Sequence, residues 1–170
     1  MRWALPIALV LAPAVTSGAG AARAQAGLPP QPACDHSLWK HVYKPQRLKI
    51  LDPCLTVRGT IVDATAGKRK DGVRHEEDGD PHGWLKVDPL QANLLNEGNR
   101  SAEGGNLVFE VVCKYPVRQR DAMAACRKYK SPIVIPPVGT HVCITGSLVQ
   151  DQEHAKWIEI HPVSRIEACP

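Results

Sequence analysis

The chain lacks the motifs of several large enzyme classes. It contains no P-loop, no dinucleotide-binding fingerprint and no G-x-S-x-G nucleophile motif. Its six cysteines include no C-x-x-C pair, which argues against a structural zinc cluster. No stretch beyond the N-terminal region is apolar enough to form a membrane helix. These absences argue against nucleotide-cofactor and serine-nucleophile chemistry, and they predict no membrane span in the mature chain.

The first 26 residues have the layout of a cleavable secretory signal peptide. Arg2 gives a positive start, residues 3–15 form a short apolar run, and small residues stand at Ala24 and Ala26. We therefore expect cleavage after Ala26 and export to the periplasm or out of the cell. The remaining chain has the length of one domain.

Export would change the charge balance. The full chain has 21 Lys and Arg against 17 Asp and Glu, a formal net charge of +4. The signal peptide would take Arg2 and Arg23 with it, so the basic excess of the mature chain is smaller. Net charge therefore argues neither for nor against a nucleic-acid partner.

The cysteines predict three disulfide bonds. All six follow the predicted signal, and an even number in an exported chain is typical of disulfides. One pair brackets a polar loop and a predicted helix, a second would tie the N-terminal extension to the first strand, and the third is left by elimination. In that order, the predicted bonds are Cys113–Cys126, Cys34–Cys54 and Cys143–Cys169.

The predicted mature chain divides into an extension and a main domain. Residues 27–53 are predicted to be a Pro-rich linker followed by an N-terminal extension, in which Leu38, Trp39 and Val42 have the spacing of one short helix. Residues 54–170 are predicted to form the main domain.

Apolar alternation in the main domain indicates β-strands. The predicted strands are residues 54–62, 82–88, 106–113, 140–150 and 156–166. Residues 119–129 are Ala-rich, with an acidic residue early and basic residues late, which predicts a helix.

This element order, β-β-β-α-β-β with a long glycine-containing first strand, is similar to that of the OB-fold, a five-stranded Greek-key barrel. The predicted fold class is therefore mainly β, an OB-fold-like barrel with an N-terminal helical extension. An open β-sandwich or an α+β roll is the alternative.

Two short motifs carry a narrower resemblance. The D-G-D-x-H of Asp78–His82 and the I-E-I-H-P-V of Ile158–Val163 resemble segments of a group of small exported bacterial proteins of uncharacterised function. The resemblance implies no activity. Asp78-Gly79-Asp80 also suits an ordinary turn, and it lacks the remaining ligands of a calcium loop.

The predicted strands place chemically active side chains on one face. Ile158 and Ile160 are expected to face the core, so the alternate residues of that strand face outward. The same argument applies to the second and third strands, which neighbour the fifth in an OB-like barrel. The predicted exposed patch consists of His82, Trp84, Glu110, Trp157, Glu159 and His161, with Asp78, Asp80 and His154 at its rim.

Two functional interpretations of this patch compete. As a binding surface, its tryptophans would stack on bases or sugar rings, while loop cations would contact phosphates or sugar acids. The predicted ligand-binding residues are Trp84, Trp157, Lys68, Arg69, Lys70, Arg74 and Glu110. As a metal site, imidazoles and carboxylates would bind a divalent first-row ion. The predicted metal ligands are His82, His161, Glu159 and His154.

Plain structural explanations also exist. The tryptophans could simply cover the barrel, and the acidic segment 76–80 would offset the nearby loop cations. The leading prediction is a monomeric, exported binding module for a polymeric or anionic ligand, an oligonucleotide or oligosaccharide, with no resident cofactor. The alternative is a metal-dependent hydrolase or a metal-binding protein.

Overall fold

The computed structural model of the protein describes residue 1 and residues 33–169. The predicted signal peptide and almost all of the Pro-rich linker lie outside the described residues. Within the described part, no helix is long and apolar enough to cross a membrane.

Five strands close into a barrel, and a short sixth strand extends its wall. The strands are β1 (Leu48–Val62), β2 (Arg74–His75), β3 (Pro81–Val87), β4 (Leu107–Glu110), β5 (His141–Asp151) and β6 (Ile158–Ala168). The order around the barrel is β1-β5-β6-β4-β3, and β3 pairs with β1 to close it. Only the β4–β6 pairing is parallel among these described strands. The predicted fold class, a mainly β OB-fold-like barrel, is confirmed.

The first strand closes the barrel because it pairs on both sides. β1 is 15 residues long and pairs with β5 over most of its length and with β3 near its C-terminal end. The register shifts in β1 lie between Ile50 and Leu55 and not at Gly59, the glycine of this long first strand. Gly59 instead permits a close approach, since a Cβ there would lie 2.4 Å from the carbonyl oxygen of Lys86.

The helix predicted over residues 119–129 is wrong. This segment forms successive turns closed by bonds such as Ala125 N–H to the Ala122 carbonyl at 3.0 Å. The turn at Gln119 is held by its N–H bond to the Glu77 carbonyl, and Cys126 is held by its disulfide. Lys128 has a φ of 61°, which ends any right-handed helical path.

The α-helix of the described residues lies instead between β3 and β4. Helix α1 spans Glu97–Ala102 and begins at a reciprocal cap, in which the side chains of Asn96 and Asn99 each accept the other's backbone N–H. No helix was predicted for this polar segment because it lacks an apolar periodicity. The helix therefore follows the second strand of the barrel and not the third.

Three 3₁₀-helices complete the described secondary structure, at His36–His41, Pro45–Arg47 and Pro89–Leu94. The N-terminal extension thus contains two 3₁₀-helices instead of the single short helix that was predicted. Strand β1 begins at Leu48, within the predicted extension. Leu38 and Val42 pack with Val149 of β5, so the extension covers the outside of the barrel.

The barrel interior is a continuous apolar core. Its largest buried side chains, all fully enclosed, are Phe109, Ile61, Leu85, Leu107, Ile144 and Ile160. Alternate residues of every barrel strand point into this core, as period-two patterning requires. The prediction that Ile158 and Ile160 face the core is confirmed.

The three predicted disulfide bonds are confirmed. They join Cys34 to Cys54, Cys113 to Cys126 and Cys143 to Cys169. No described cysteine is left as a free thiol. Three disulfides in a domain of this size indicate an oxidising environment.

Gly83 supplies a test of barrel packing. It pairs with Phe109 across β3 and β4, and a Cβ at position 83 would lie 2.1 Å from the phenyl ring. We expect Gly83→Ala to lower the free energy of unfolding by about 1–3 kcal/mol because the ring has to move. Denaturant unfolding with the disulfides intact measures this loss. In a Phe109→Leu background, Gly83→Ala should lower the free energy of unfolding by less. Equal losses in both backgrounds would contradict the packing of Gly83 against the Phe109 ring.

Candidate functional site

A cleft of about 370 Å³ opens at one side of the barrel. Its walls come from the β2–β3 loop, the β5–β6 connection and the N-terminal extension. Its floor contains Arg47, His82 and Glu110, and Trp157 and Tyr43 add aromatic surface. OB barrels bind ligands at this place, between the loop after the first strand and the loop between the fourth and fifth.

Glu110 stands at the centre of the floor. It is paired with His82 across β3 and β4, so the two side chains share a face and His82 Nδ1 lies 3.1 Å from Glu110 Oε1. The parallel β4–β6 register pairs Phe109 with Ile160, which brings His161 close to Glu110. His161 Nδ1 lies 3.0 Å from Glu110 Oε2. The carboxylate thus joins two imidazoles from different strands.

Strand β6 contributes a second carboxylate to the same imidazole. Glu159 and His161 are two residues apart and share one face, with Glu159 Oε1 3.2 Å from His161 Nδ1. Trp157 Nε1 donates to the other oxygen of Glu159 at 2.7 Å. His161 Nδ1 is therefore held as a donor between two carboxylates.

The predicted exposure of this patch is wrong. Glu159 and His161 are 0% exposed, and His82 and Glu110 are also buried. Only Trp84 and Trp157 of the predicted patch remain partly exposed, while Asp80 at the predicted rim is buried. Glu159 and His161 are covered because Arg47 of the N-terminal extension and Asp80 of the β2–β3 loop lie against them, and sequence alternation cannot reveal such a cover.

Arg47 is a member of the cluster that the sequence analysis missed. Its guanidinium forms an ion pair with Asp151, and it lies 3.8 Å from Glu110 and 4.0 Å from Glu159. Arg47 is only 8% exposed and Asp151 is fully buried. A lone Arg after Pro45 in the extension gives no pattern that would mark it. Asp151 stands at the end of an apolar strand, where an acidic residue usually signals only a turn.

Glu103, also missed, lies on the far side of His82. Its Oε2 is 2.9 Å from His82 Nε2 and accepts a hydrogen bond from Arg74 Nη2 at 2.9 Å. The indole N–H of Trp84 donates to the same oxygen. Trp84 therefore supports the cluster, and it does not line the cleft.

The ionisation of both histidines follows from their carboxylate neighbours. Burial opposes a charge on His82, but its hydrogen bonds to the carboxylates of Glu103 and Glu110 raise its pKa to about 9. Burial also opposes a charge on His161, and the carboxylates of Glu110 and Glu159 raise its pKa to about 10. In return, the two imidazoles overcome the effect of burial and hold the pKa of Glu110 well below its usual range.

The two aspartates of the D-G-D segment have raised pKa values, in contrast to Glu110. Burial is the main reason why the pKa of Asp80 lies well above its ordinary value. Burial and the charge of Glu110 likewise raise the pKa of Asp78. Asp80 Oδ1 accepts the backbone N–H of Cys113 at 2.6 Å, which fixes the orientation of its carboxyl group.

Most of the loop cations that were predicted to bind a ligand lie outside the cleft. Lys68, Arg69 and Lys70 are exposed and do not line the cleft, and Arg69 pairs with neighbours in its own loop. Arg74 alone of the four loop cations reaches the cleft. The loop itself is organised by Asp63, whose carboxylate accepts the N–H groups of Thr65 and Gly67.

The predicted metal ligands His82, Glu159 and His154 gain no support from their geometry. Both ring nitrogens of His82 lie against carboxylates, and His154 Nδ1 lies 2.9 Å from Asp151 Oδ2. A different set converges: Asp80, Glu110 and His161 each offer a ligand atom within 4.8 Å of the others.

The Arg47 ion pair gives a direct test of the cluster. We expect Arg47→Met to lower the free energy of unfolding by about 3–5 kcal/mol, because it leaves buried carboxylates uncompensated. The matched control is Arg100→Met, which removes an exposed pair with Glu97 and should cost less than about 1 kcal/mol. Equal losses in the two variants, measured by denaturant unfolding, would contradict the buried arrangement of Arg47.

Comparison with family models, with curated proteins and with solved structures found no match to this chain. Its function therefore has to be argued from the chemistry of the cleft and of the charged cluster beneath it.

Proposed function

We propose that the protein is an exported binding module whose cleft holds an uncharged or amine-bearing oligosaccharide. The observation that carries the proposal is the cleft itself, which lies at the ligand-binding side of an OB-like barrel and combines aromatic surface with hydrogen-bonding side chains. The three disulfides agree with a site of action outside the cytoplasm.

The charges around the cleft favour a sugar over a nucleic acid. Its exposed or half-exposed rim carries four carboxylates, those of Glu76, Glu77, Asp78 and Glu153. The floor cation Arg47 is already paired with Asp151, and Arg74 is paired with Glu103. Phosphate groups need several unpaired cations, whereas Lys44 is a single exposed cation on a rim with four carboxylates. An oligonucleotide is therefore the less favoured of the two polymers that the sequence predicted.

Sugar hydroxyl groups suit the same rim. A hydroxyl both donates and accepts, so it can bond to carboxylates and to arginine N–H groups at once. Trp157 and Tyr43 supply the apolar surface on which a pyranose ring would rest. Trp157 is half-buried, with its N–H held by Glu159, so its ring is fixed in position before a ligand arrives. Such a fixed ring lowers the entropic cost of binding.

Calorimetric titration with uncharged and with amine-bearing oligosaccharides tests this proposal. We expect Trp157→Ala to weaken sugar binding at least about tenfold, a loss of about 1.4 kcal/mol. Trp157→Phe keeps an aromatic face but loses the indole N–H, so it should retain more of the affinity than Trp157→Ala. The double variant Lys68→Ala/Lys70→Ala lies outside the cleft and serves as the control with unchanged affinity.

The competing ligand class is tested on the same samples. A single-stranded oligonucleotide should bind weakly or not at all at physiological salt. Two results together would overturn the proposal and favour an anionic ligand. The parent protein would bind an oligonucleotide tightly but no sugar, and the Lys68→Ala/Lys70→Ala variant would lose the oligonucleotide binding.

A further inference from the structure

Among the described side chains, two of the buried atoms that have no hydrogen-bond partner lie opposite each other beside the cleft. They are Asp80 Oδ2 and His161 Nε2, which lie 3.7 Å apart and face each other. That separation is too long for a hydrogen bond. The two groups are within ion-pair distance, but neither atom forms a hydrogen bond, whereas buried polar atoms nearly always do.

The rest of both side chains is firmly held. Asp80 Oδ1 accepts the Cys113 N–H, and His161 Nδ1 is hydrogen-bonded to Glu159 Oε1 at 3.2 Å. With one proton kept on Nδ1, the His161 ring can release the proton on Nε2 to an incoming metal ion and bind the ion through that nitrogen. Histidine ligands of metal ions commonly have this arrangement, with the second nitrogen bonded to a carboxylate that fixes the tautomer and the ring orientation.

We propose that Asp80, Glu110 and His161 bind one divalent first-row metal ion, with Zn²⁺ as the best match. Their ligand atoms all lie within 4.8 Å of one another. Two ligands bound to tetrahedral zinc at about 2.1 Å are separated by about 3.4 Å, so the 3.7 Å between Asp80 Oδ2 and His161 Nε2 needs to shrink by only a few tenths of an ångström.

The donor set decides which ion fits. One imidazole nitrogen and two carboxylates suit zinc and its first-row neighbours. Calcium requires six to eight oxygen ligands, and magnesium retains most of its water, so neither fits a buried trio that includes a nitrogen. A thiolate contribution is excluded, because Cys113 and Cys126 beside Asp80 are joined in a disulfide.

Glu110 connects this site to the cleft. It belongs to the trio and also lines the cleft floor, so an ion entering from the cleft would reach it first. Three protein ligands leave a fourth position of zinc for water or for a group of a bound ligand. The metal proposal does not depend on the sugar proposal, since each has a separate assay.

Zinc titration of the full mature protein tests the site. We expect one Zn²⁺ per chain to remain after dialysis, and we expect Asp80→Asn to weaken zinc binding at least about tenfold. Asn is close to Asp in shape, it can still accept the Cys113 N–H, and its amide can donate to His161 Nε2. The matched control is His154→Gln, which removes a histidine at the cleft rim outside the trio and should leave zinc binding unchanged. Calcium and magnesium should not bind at this stoichiometry.

Absence of stoichiometric zinc in the parent protein, or equal zinc binding by Asp80→Asn and the parent, would overturn the proposal. Zinc-edge X-ray absorption of the unsubstituted protein gives a readout that needs no variant. Nitrogen and oxygen neighbours at about 2.0–2.2 Å with one imidazole signature are expected, whereas sulfur neighbours or more than one imidazole would contradict the assigned ligands.

Discussion

The carboxylate of Glu110 is the interaction on which the candidate site depends. It lies between His82 on β3 and His161 on β6, and it reaches Arg47 of the N-terminal extension. Three separate parts of the chain therefore meet at one side chain on a four-residue strand. Both histidines lie beside Glu110 because β4 pairs antiparallel with β3 and parallel with β6. The electrostatics of the floor and the chemistry of the proposed metal site both follow from that position.

We propose that the cluster serves binding more than stability. Buried ion pairs repay the cost of losing water only when their geometry is good, and apolar replacements often do as well. Perturbed pKa values next to an open cleft are typical of functional sites. Here the basic side chains Arg47, His82 and His161 are balanced against Glu110 and its neighbouring carboxylates, so the floor holds many oriented polar groups without a large net charge. Such a floor can recognise polar ligands, and it can hold a cation at Asp80 Oδ2, which has no hydrogen-bond partner.

The sequence predicted the barrel and the disulfides but only part of the site. Alternating apolar residues identified the strands, and adjacent strands of an OB-like barrel correctly brought His82, Glu110 and His161 together. The same alternation could not show that β6 is covered on both faces, since it reports only which side of a strand a residue takes. Arg47 and Glu103 lie outside the barrel strands, and their positions depend on long-range packing. The predicted helix at residues 119–129 failed because anchors at Glu77 and Cys113 outweigh local helix propensity.

His161 is held within the buried cluster, with Nδ1 as the donor to carboxylates and Nε2 facing Asp80, and the proposed metal site depends on this arrangement. Nitrogen-15 NMR of the imidazole rings, recorded on the chelator-treated protein at neutral pH, tests it most directly. We expect a slowly exchanging proton on His161 Nδ1, because that proton lies in a hydrogen bond to a buried carboxylate. A His161 ring without a proton on Nδ1, or one that exchanges as fast as a free imidazole, would contradict it.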